Sequence, residues 1–518
     1  MDRSLWIDCK KQKRYPMLEE NKQVDICIIG AGLTGITLAY YLVKAGKSVT
    51  ILEKNEICSH TSGNTTAKIT SQHGLIYNYL LQSVGKKEAK QYLDSNEQAI
   101  NNIKQIVQDE KIDCDFEKQD AYIFTQKQDE IQKLKKEKEA LEYLDLDCEF
   151  LEKIPLSTKC NDESNKEQVN ENKISIKKKI LGAIRFKNQA QFNPVLYAEG
   201  LSNTITKNGG EIYENSKVID IKKESENYKV ITEKGELKCK VLVIASHYPI
   251  VNSPGFYFMK MYQETSYLIA IETKEKLFEG MYISSEDPTI SFRVAKYKNK
   301  DVLLVGGMKH KTGAKINLEN SYEILEKVAK QLYPDAKVIF RWNTEDCISL
   351  DKIPYIGEFS NLWPNVYVAT GYKKWGMTTS NVAANIIRDK ILGKKNLYED
   401  VYKSTRLKPV KNYEELGNMI KEVSYSGVIN KLKKEENTME DVKRGEGKII
   451  EIDGKKVGAY RDNEGKVYAV KPYCTHLGCE LSWNDLDNTW DCPCHGSKFD
   501  YTGKNIYDPA IKDLERLE

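Results

Sequence analysis

Residues 24–53 read VDICIIGAGLTGITLAYYLVKAGKSVTILE. VDICII, Val24 to Ile29, is a short apolar run rich in β-branched side chains, the pattern of a buried strand. GAGLTG follows at once, so Gly30, Ala31, Gly32, Leu33, Thr34 and Gly35 form a turn that opens a helix. ITLAYYLVKAG carries apolar residues at helical spacing and stops at Gly46. SVTILE is a second strand, ending on Glu53 with Lys54 beyond it. Strand, Gly-rich turn, helix, strand and acidic residue make a complete dinucleotide-binding unit. Gly30 permits the tight turn, Gly32 lets a pyrophosphate approach the backbone, and Gly35 lets helix and strand pack closely. The helix N-terminus aims its free N–H groups and dipole at the phosphates. Glu53 is placed to accept a hydrogen bond from a ribose hydroxyl.

A second motif lies near the other end: CTHLGCELSWNDLDNTWDCPCHGSKF, Cys474 to Phe499. Cys474-Thr-His476 and Cys492-Pro-Cys494-His495 face each other across fifteen residues. Two thiolates and two imidazoles suit a [2Fe–2S] centre in which two His replace two Cys on one iron. Zinc also accepts a Cys2His2 set. A zinc finger, however, separates its paired Cys from its paired His, whereas here each loop supplies one of each.

Between these motifs the chain is ordinary in composition. Its 518 residues suffice for two or three domains, and 40% hydrophobic with 30% charged residues can build cores. The net charge of +3 carries no footprint for nucleic acid. No apolar run approaches the ~18 residues of a membrane helix, and the N-terminus lacks the apolar core of a signal peptide. Eight of the 12 Cys are scattered without C-x-x-C spacing, which fits a reducing compartment. The expectation is a cytoplasmic protein.

The boxes CTHLGC and CPCHGS resemble the Rieske iron–sulfur family. That resemblance implies Cys474, His476, Cys492 and His495 as cluster ligands and a Cys479–Cys494 disulfide bracing the two loops. TSGNTTAKITSQHG (61–74) is a Gly/Ser/Thr-rich loop of the kind that serves a second nucleotide region. NVYVATGYKKWGMTTSNVAANIIRDKILG (365–393) is another strand, a turn from Gly371 to Gly376 and a second helix from about Thr378 to Leu392. With VLVIASHYP (241–249) and LDKIPYIG (350–357), residues ~24–395 resemble the amine-oxidising flavoproteins, the D-amino-acid, glycine and sarcosine oxidases. The resemblance implies FAD lying across the Rossmann half. It adds Gly63, Asn64, Thr65, Thr66, Val218, Ala245, Gly371, Gly376, Met377 and Thr378 to the cofactor-binding residues of the first unit. Lys374 and Trp375 are expected beside the flavin ring.

The expected architecture is an α/β FAD-binding Rossmann-type domain with an α+β substrate domain, followed by a small all-β Rieske domain. FAD-binding parts fall at ~20–75, ~181–250 and ~340–398, and substrate-domain parts at ~76–180 and ~251–339. Residues 399–440 read as a charged linker, so that the domain at 441–518 hangs on a tether. Flavin takes up a hydride pair and a [2Fe–2S] cluster passes single electrons, so the pair reads as a two-to-one electron splitter. The expected function is oxidation of a small amine or amino-acid-like reductant, with electrons leaving through the cluster to an external protein or quinone. The alternative is a redox module reduced by NAD(P)H or a partner protein. Catalytic candidates are Arg341, for a substrate carboxylate, then Arg293, Tyr262, Tyr372 and His73. In respiratory Rieske proteins a Ser and a Tyr of the second box donate to the cluster sulfurs. Ser497 is present here and Phe499 replaces the Tyr, which predicts a lower potential.

Overall fold

The computed structural model describes residues 3–10, 14–160, 174–314, 321–406, 417, 426, 434–435 and 437–517. The opening unit forms as its pattern dictates. Strand Lys22–Ile29 turns fully buried over its last four residues, because parallel partners flank it on both sides: Val49–Leu52 and Glu236–Ile244. Trp363–Thr370 extends the sheet parallel to Glu236–Ile244, and Glu211–Tyr213 closes its other edge. Helix Leu33–Lys44 starts at Gly32 and packs against helix Gly376–Ile391. Gly35 has to be glycine, since a Cβ there would stand 2.0 Å from the Gly30 carbonyl oxygen.

A second sheet of nine strands faces this one. Its order runs Lys337–Ser349, Met261–Glu272, Lys300–Lys311, Ile290–Tyr297, Met281–Ser284, Glu117–Thr125, Gly182–Gln191, Lys68–Ile69, and the ninth strand, Cys148–Leu151, also pairs with Gly182–Gln191. The long antiparallel hairpins at its centre carry alternating buried and half-buried residues, as a sheet with two different faces requires. Two of the expected boundaries shift. Gly182–Gln191 and Lys337–Ser349 belong to this sheet and not to the dinucleotide half, because their partners are Glu117–Thr125 and Met261–Glu272. In turn, helix Lys86–Asp109, expected in the substrate part, packs against helix Gly376–Ile391. The charged and polar stretch 161–173, interrupted only by Val169, lies outside the described residues.

The C-terminal domain is two small antiparallel sheets. One holds Gly447–Ile452, Lys455–Arg461, Val467–Val470 and Arg516–Leu517; the other holds Ser482–Asn484, Thr489–Asp491, Lys498–Asp500 and Asn505–Tyr507. Its core gathers Trp490, Phe499, Leu481 and the four Cys of the two boxes. The start of the expected linker belongs to the body: Val401 and Tyr402 are buried, and Arg406 pairs with Asp351 through Nε and Nη2 at 2.6 and 2.8 Å. Most of 407–436 lies outside the described residues.

The position of the C-terminal domain corrects the tether expectation. The domain is docked on the body, and the contact is a buried ionic one. Lys498 Nζ lies 3.0 Å from Glu345 of the body, 3.1 Å from Asp487 and 3.5 Å from Asp491, all fully or almost fully buried. A charge this deep is tolerated only when paired. Two glycines bring the backbones together. A Cβ on Gly313 would meet Pro493 N at 2.5 Å, and one on Gly496 would meet Gln263 Cβ at 2.5 Å.

Candidate functional site

A cavity of about 570 Å³ runs along the seam between the two large sheets. On the dinucleotide side it is lined by Gly30, Gly32, Leu33, Thr34, Glu53, Lys54, Val218 and Ala245. The helix that starts at Leu33 points its N-terminus at this space, and so does the helix that starts at Gly376. Two helix dipoles therefore favour negative charge in the cavity. Glu53 accepts from Ala31 N at 2.8 Å and from Asn55 N at 3.0 Å. Burial pushes its carboxyl pKa up against these hydrogen bonds.

Thr65, Thr66, Gly371, Gly376 and Met377 also line the cavity, as do Tyr372, Lys374 and Trp375. Five of the expected cofactor residues do not, and each shapes the wall from behind. Ala31 and Gly35 sit inside the turn. Gly63 lies against the Cys58 carbonyl, where a Cβ would come within 2.0 Å. The Asn64 carbonyl accepts from Trp342 Nε1 at 2.9 Å, and Thr378 Oγ1 reaches Thr70 O at 3.3 Å.

The catalytic candidates separate clearly. Tyr262 lines the cavity. Tyr372 does too, its hydroxyl 2.8 Å from Thr34 Oγ1. Arg341 does not: it is half exposed and pairs with Glu326 at 2.9 Å, because its strand turns that side chain toward helix Ser321–Leu332. Arg293 is buried behind the wall, donating to Thr66 O at 3.0 Å and Ala67 O at 2.6 Å beneath the Trp6 ring. It holds the Thr-rich loop, and neither arginine lines the cavity. His73 borders the cavity but is locked between Tyr92 Oη (2.7 Å) and Thr70 O (2.8 Å), stacked on Trp375 at 4.9 Å. Burial pushes it down to about 3, so it is a neutral prop for Trp375.

Several wall residues went unnoticed in the sequence. The N-terminal segment buries Leu5 and Trp6, and Trp6 Nε1 donates to Thr65 O at 2.7 Å. Glu264, Ser266 and Leu268 face the cavity from the same strand as the expected Tyr262, and Thr344, Asp346 and Ile348 from the neighbouring strand. The period of two was the available signal. Lys374 Nζ lies 3.2 Å from Glu264 and 3.6 Å from Asp346. Burial pushes Asp346 up to about 6.

The opposite faces of these two strands hold the C-terminal domain. Gln263 Nε2 donates to the His495 carbonyl at 3.0 Å and the Asp508 carbonyl at 2.7 Å, and Glu345 takes Lys498. A wall one strand thick therefore divides the cavity from the second Cys/His box. The domain also closes part of the cavity itself with Tyr507, Asp508 and Ile511. Lys54, expected only on the cofactor, donates to Ile506 O at 3.2 Å and Asp508 Oδ1 at 3.3 Å.

The two boxes meet at the domain's inner tip. His476 and His495 stand 5.0 Å apart with perpendicular rings, and the Nδ1 atom of each is buried with no hydrogen-bond partner. Cys474 and Cys492 are hydrogen-bonded to each other, which lowers the Cys474 thiol and raises its partner. Cys479, Cys492 and Cys494 also lie close enough to share an ion, but Cys479 and Cys494 are joined as a disulfide and cannot ligate. Two orphaned imidazole nitrogens beside two free thiols fit a cluster held by Cys474, Cys492, His476 and His495. Its surroundings come from the body. Asn252 Oδ1 lies 2.7 Å from His476 Nε2, and the Phe258 ring meets both imidazoles edge-on at 6.1 and 5.8 Å. Among the described residues, no helix is long and apolar enough to cross a membrane.

Comparison with known proteins agrees with both halves. Residues 25–390 match the family model described as FAD dependent oxidoreductase, and residues 435–518 match the Rieske [2Fe-2S] domain. YhfW of Bacillus subtilis (strain 168), named as a Rieske 2Fe-2S iron-sulfur protein, is 36% identical over 99% of this chain and 97% of its own length. The gamma-glutamylputrescine oxidoreductase of Escherichia coli (strain K12) is 22% identical over 74% of this chain and 87% of that protein. The crystal structure of glycine oxidase from Geobacillus kaustophilus superposes with a TM-score of 0.61 at 17% identity, covering 75% of this chain and all of that one.

Proposed function

Because the chain belongs to the FAD-dependent oxidoreductase family and carries a C-terminal Rieske [2Fe–2S] domain, we propose that it oxidises a small amine or amino-acid-like substrate and exports the electrons through the cluster. The observation that carries this reading is the shared wall. Tyr262 and Glu264 face the cavity while Gln263, between them, holds the cluster-bearing box. FAD supplies hydride acceptance when bound, and the cluster supplies one-electron transfer.

The chain's own residues have distinct tasks. Gly30, Gly32 and the N–H groups at the start of helix Leu33–Lys44 receive the pyrophosphate, with Glu53 beside the ribose. Gly376 and Met377 present a second helix N-terminus to the ring end. Trp375, propped by His73, and the Lys374–Glu264–Asp346 cluster shape the space where a substrate is oriented. Tyr507, Asp508 and Ile511 exclude water on the side of the cluster. The amine substrates in the names of relatives favour an amine here, and the external acceptor is a protein or a quinone.

Anaerobic stopped-flow mixing of the purified protein with a panel of amines and amino acids tests the proposal. The expected result is loss of flavin absorbance followed by the spectrum of reduced cluster. Reduction by NAD(P)H or a protein partner alone, with every amine silent, would overturn it.

A further inference from the structure

Away from the dinucleotide turn, the cavity walls carry more positive than negative charge. Lys68, Lys309, Lys352, Lys373 and Lys374 line it there, against Glu264 and Asp346, and Lys68 is turned to the Tyr282 carbonyl at 2.9 Å. Lys374 is committed to the two carboxylates and to Ser266 Oγ at 2.7 Å. The other three lysines are not neutralised in this way. Among the described residues no carboxylate oxygen lies within 4.0 Å of the Lys352 or Lys373 ammonium. Lys352 rests 4.8 Å over the Tyr79 ring, and Lys309 lies 4.0 Å from the exposed Asp287. Lys373 feels the other two. Burial and then the charges of Lys352 and Lys309 oppose protonation of Lys373 and outweigh the opposing pull of Glu264 and Glu137, pushing it down to about 8. Like charges gathered in a partly desolvated corner are unfavourable until an anion enters.

We infer that Lys309, Lys352 and Lys373 form a binding corner for an anionic group of the substrate, and that the substrate carries net negative charge. A zwitterionic amino acid is neutral overall and would leave the surplus uncompensated. An acidic amine bearing an additional carboxylate or phosphate compensates it. The inference rests on the flavoenzyme reading above and adds the charge class of the substrate to it.

The test uses the oxidised, FAD-loaded full chain at constant ionic strength and reads perturbation of the flavin absorption spectrum. The probes are glutarate, inorganic phosphate, acetate and putrescine. Saturable perturbation by glutarate or phosphate, with acetate at least about tenfold weaker, supports the inference; which of the two binds tighter separates carboxylate from phosphate. Lys373→Met and Lys352→Met each weaken that anion at least about tenfold, the scale of one lost charged hydrogen bond, and Lys373→Arg restores binding if the Met variant folds poorly. Three results overturn the inference: perturbation by putrescine in place of the anions, unchanged anion affinity in all variants, or a shifted flavin midpoint potential in Lys373→Met with anion affinity intact. The last would assign the lysines to the flavin itself. A chain that takes up no FAD overturns the flavoenzyme reading as well, whereas an FAD-loaded chain blind to every anion overturns only this inference.

Discussion

Cluster ligands and cavity walls are assembled on very different scales. The ligands span Cys474 to His495 on two loops of one small domain. The cavity draws on residues from Ile29 to Ile511 and on all three folded parts of the chain. The first site is closed and mostly neutral inside, its histidines held uncharged by burial at about 4 and about 3. The second is open enough for a ligand and crowded with charge. A local site survives as a unit when its surroundings change. A dispersed one depends on every element that positions it, including the domain docked against it. Variants that strike one site and spare the other measure how separate the two are.

The largest effect belongs to the ligands. Cys492→Ser is expected to abolish the cluster while FAD remains, because the thiolate has no substitute once Cys479 and Cys494 are bridged. Iron analysis and the flavin spectrum of the purified variant report both. Next comes docking. Lys498→Met leaves Glu345, Asp487 and Asp491 buried without their cation, a loss of roughly 3–5 kcal/mol that chemical denaturation measures. If the wall were incidental, the flavin spectrum would be unchanged in this variant.

A smaller effect is a pH dependence confined to the cavity. Lys68 donates to Tyr282 O at 2.9 Å, and burial pushes it down to about 7. Its pKa is lower folded than unfolded, so the unfolded chain binds more protons between about pH 7 and 10. Its contribution to stability therefore rises with pH through that window and is unfavourable below it. Lys68→Met is expected to flatten the rise between pH 7 and 9 by roughly 1–2 kcal/mol, seen as converging denaturation curves at the two pH values.

The smallest effects fall on the cluster's potential. Ligation through Nδ1 leaves the proton of His476 on Nε2, donating to Asn252 Oδ1. That hydrogen bond makes the imidazole a stronger donor to iron. Asn252→Leu should raise the midpoint by a few tens of millivolts, and Phe499→Tyr should raise it from within the domain by restoring a hydroxyl. Potentiometric titration of the full chain followed by its visible spectrum decides both. A fall in either variant would contradict the assignment.

Legibility in the sequence divides along the same line. The turn at Gly30–Gly35 and the boxes at 474–479 and 492–497 could be read directly, since their chemistry depends on residues adjacent in the chain. For Arg341 the order of the chain left a substrate contact and an ion pair equally open, and the strand's alternation turns it outward to Glu326. The tether misled because a charged composition marks a linker without saying where the domain beyond it comes to rest. Lys498 carries no signal in the sequence beyond its place after the second box, yet it is the buried cation of the docking surface.

By itself, then, the sequence determined the two cofactors and the order of the folded parts and singled out four candidate ligands, all written in short-range patterns of glycine, cysteine, histidine and strand period. The tertiary structure alone decided that strands Met261–Glu272 and Lys337–Ser349 serve both sites, one face to each. It also decided that Lys309, Lys352 and Lys373 share a corner of the cavity. Side-chain alternation can be read along a strand, but what lies against each face depends on packing between segments far apart in the chain.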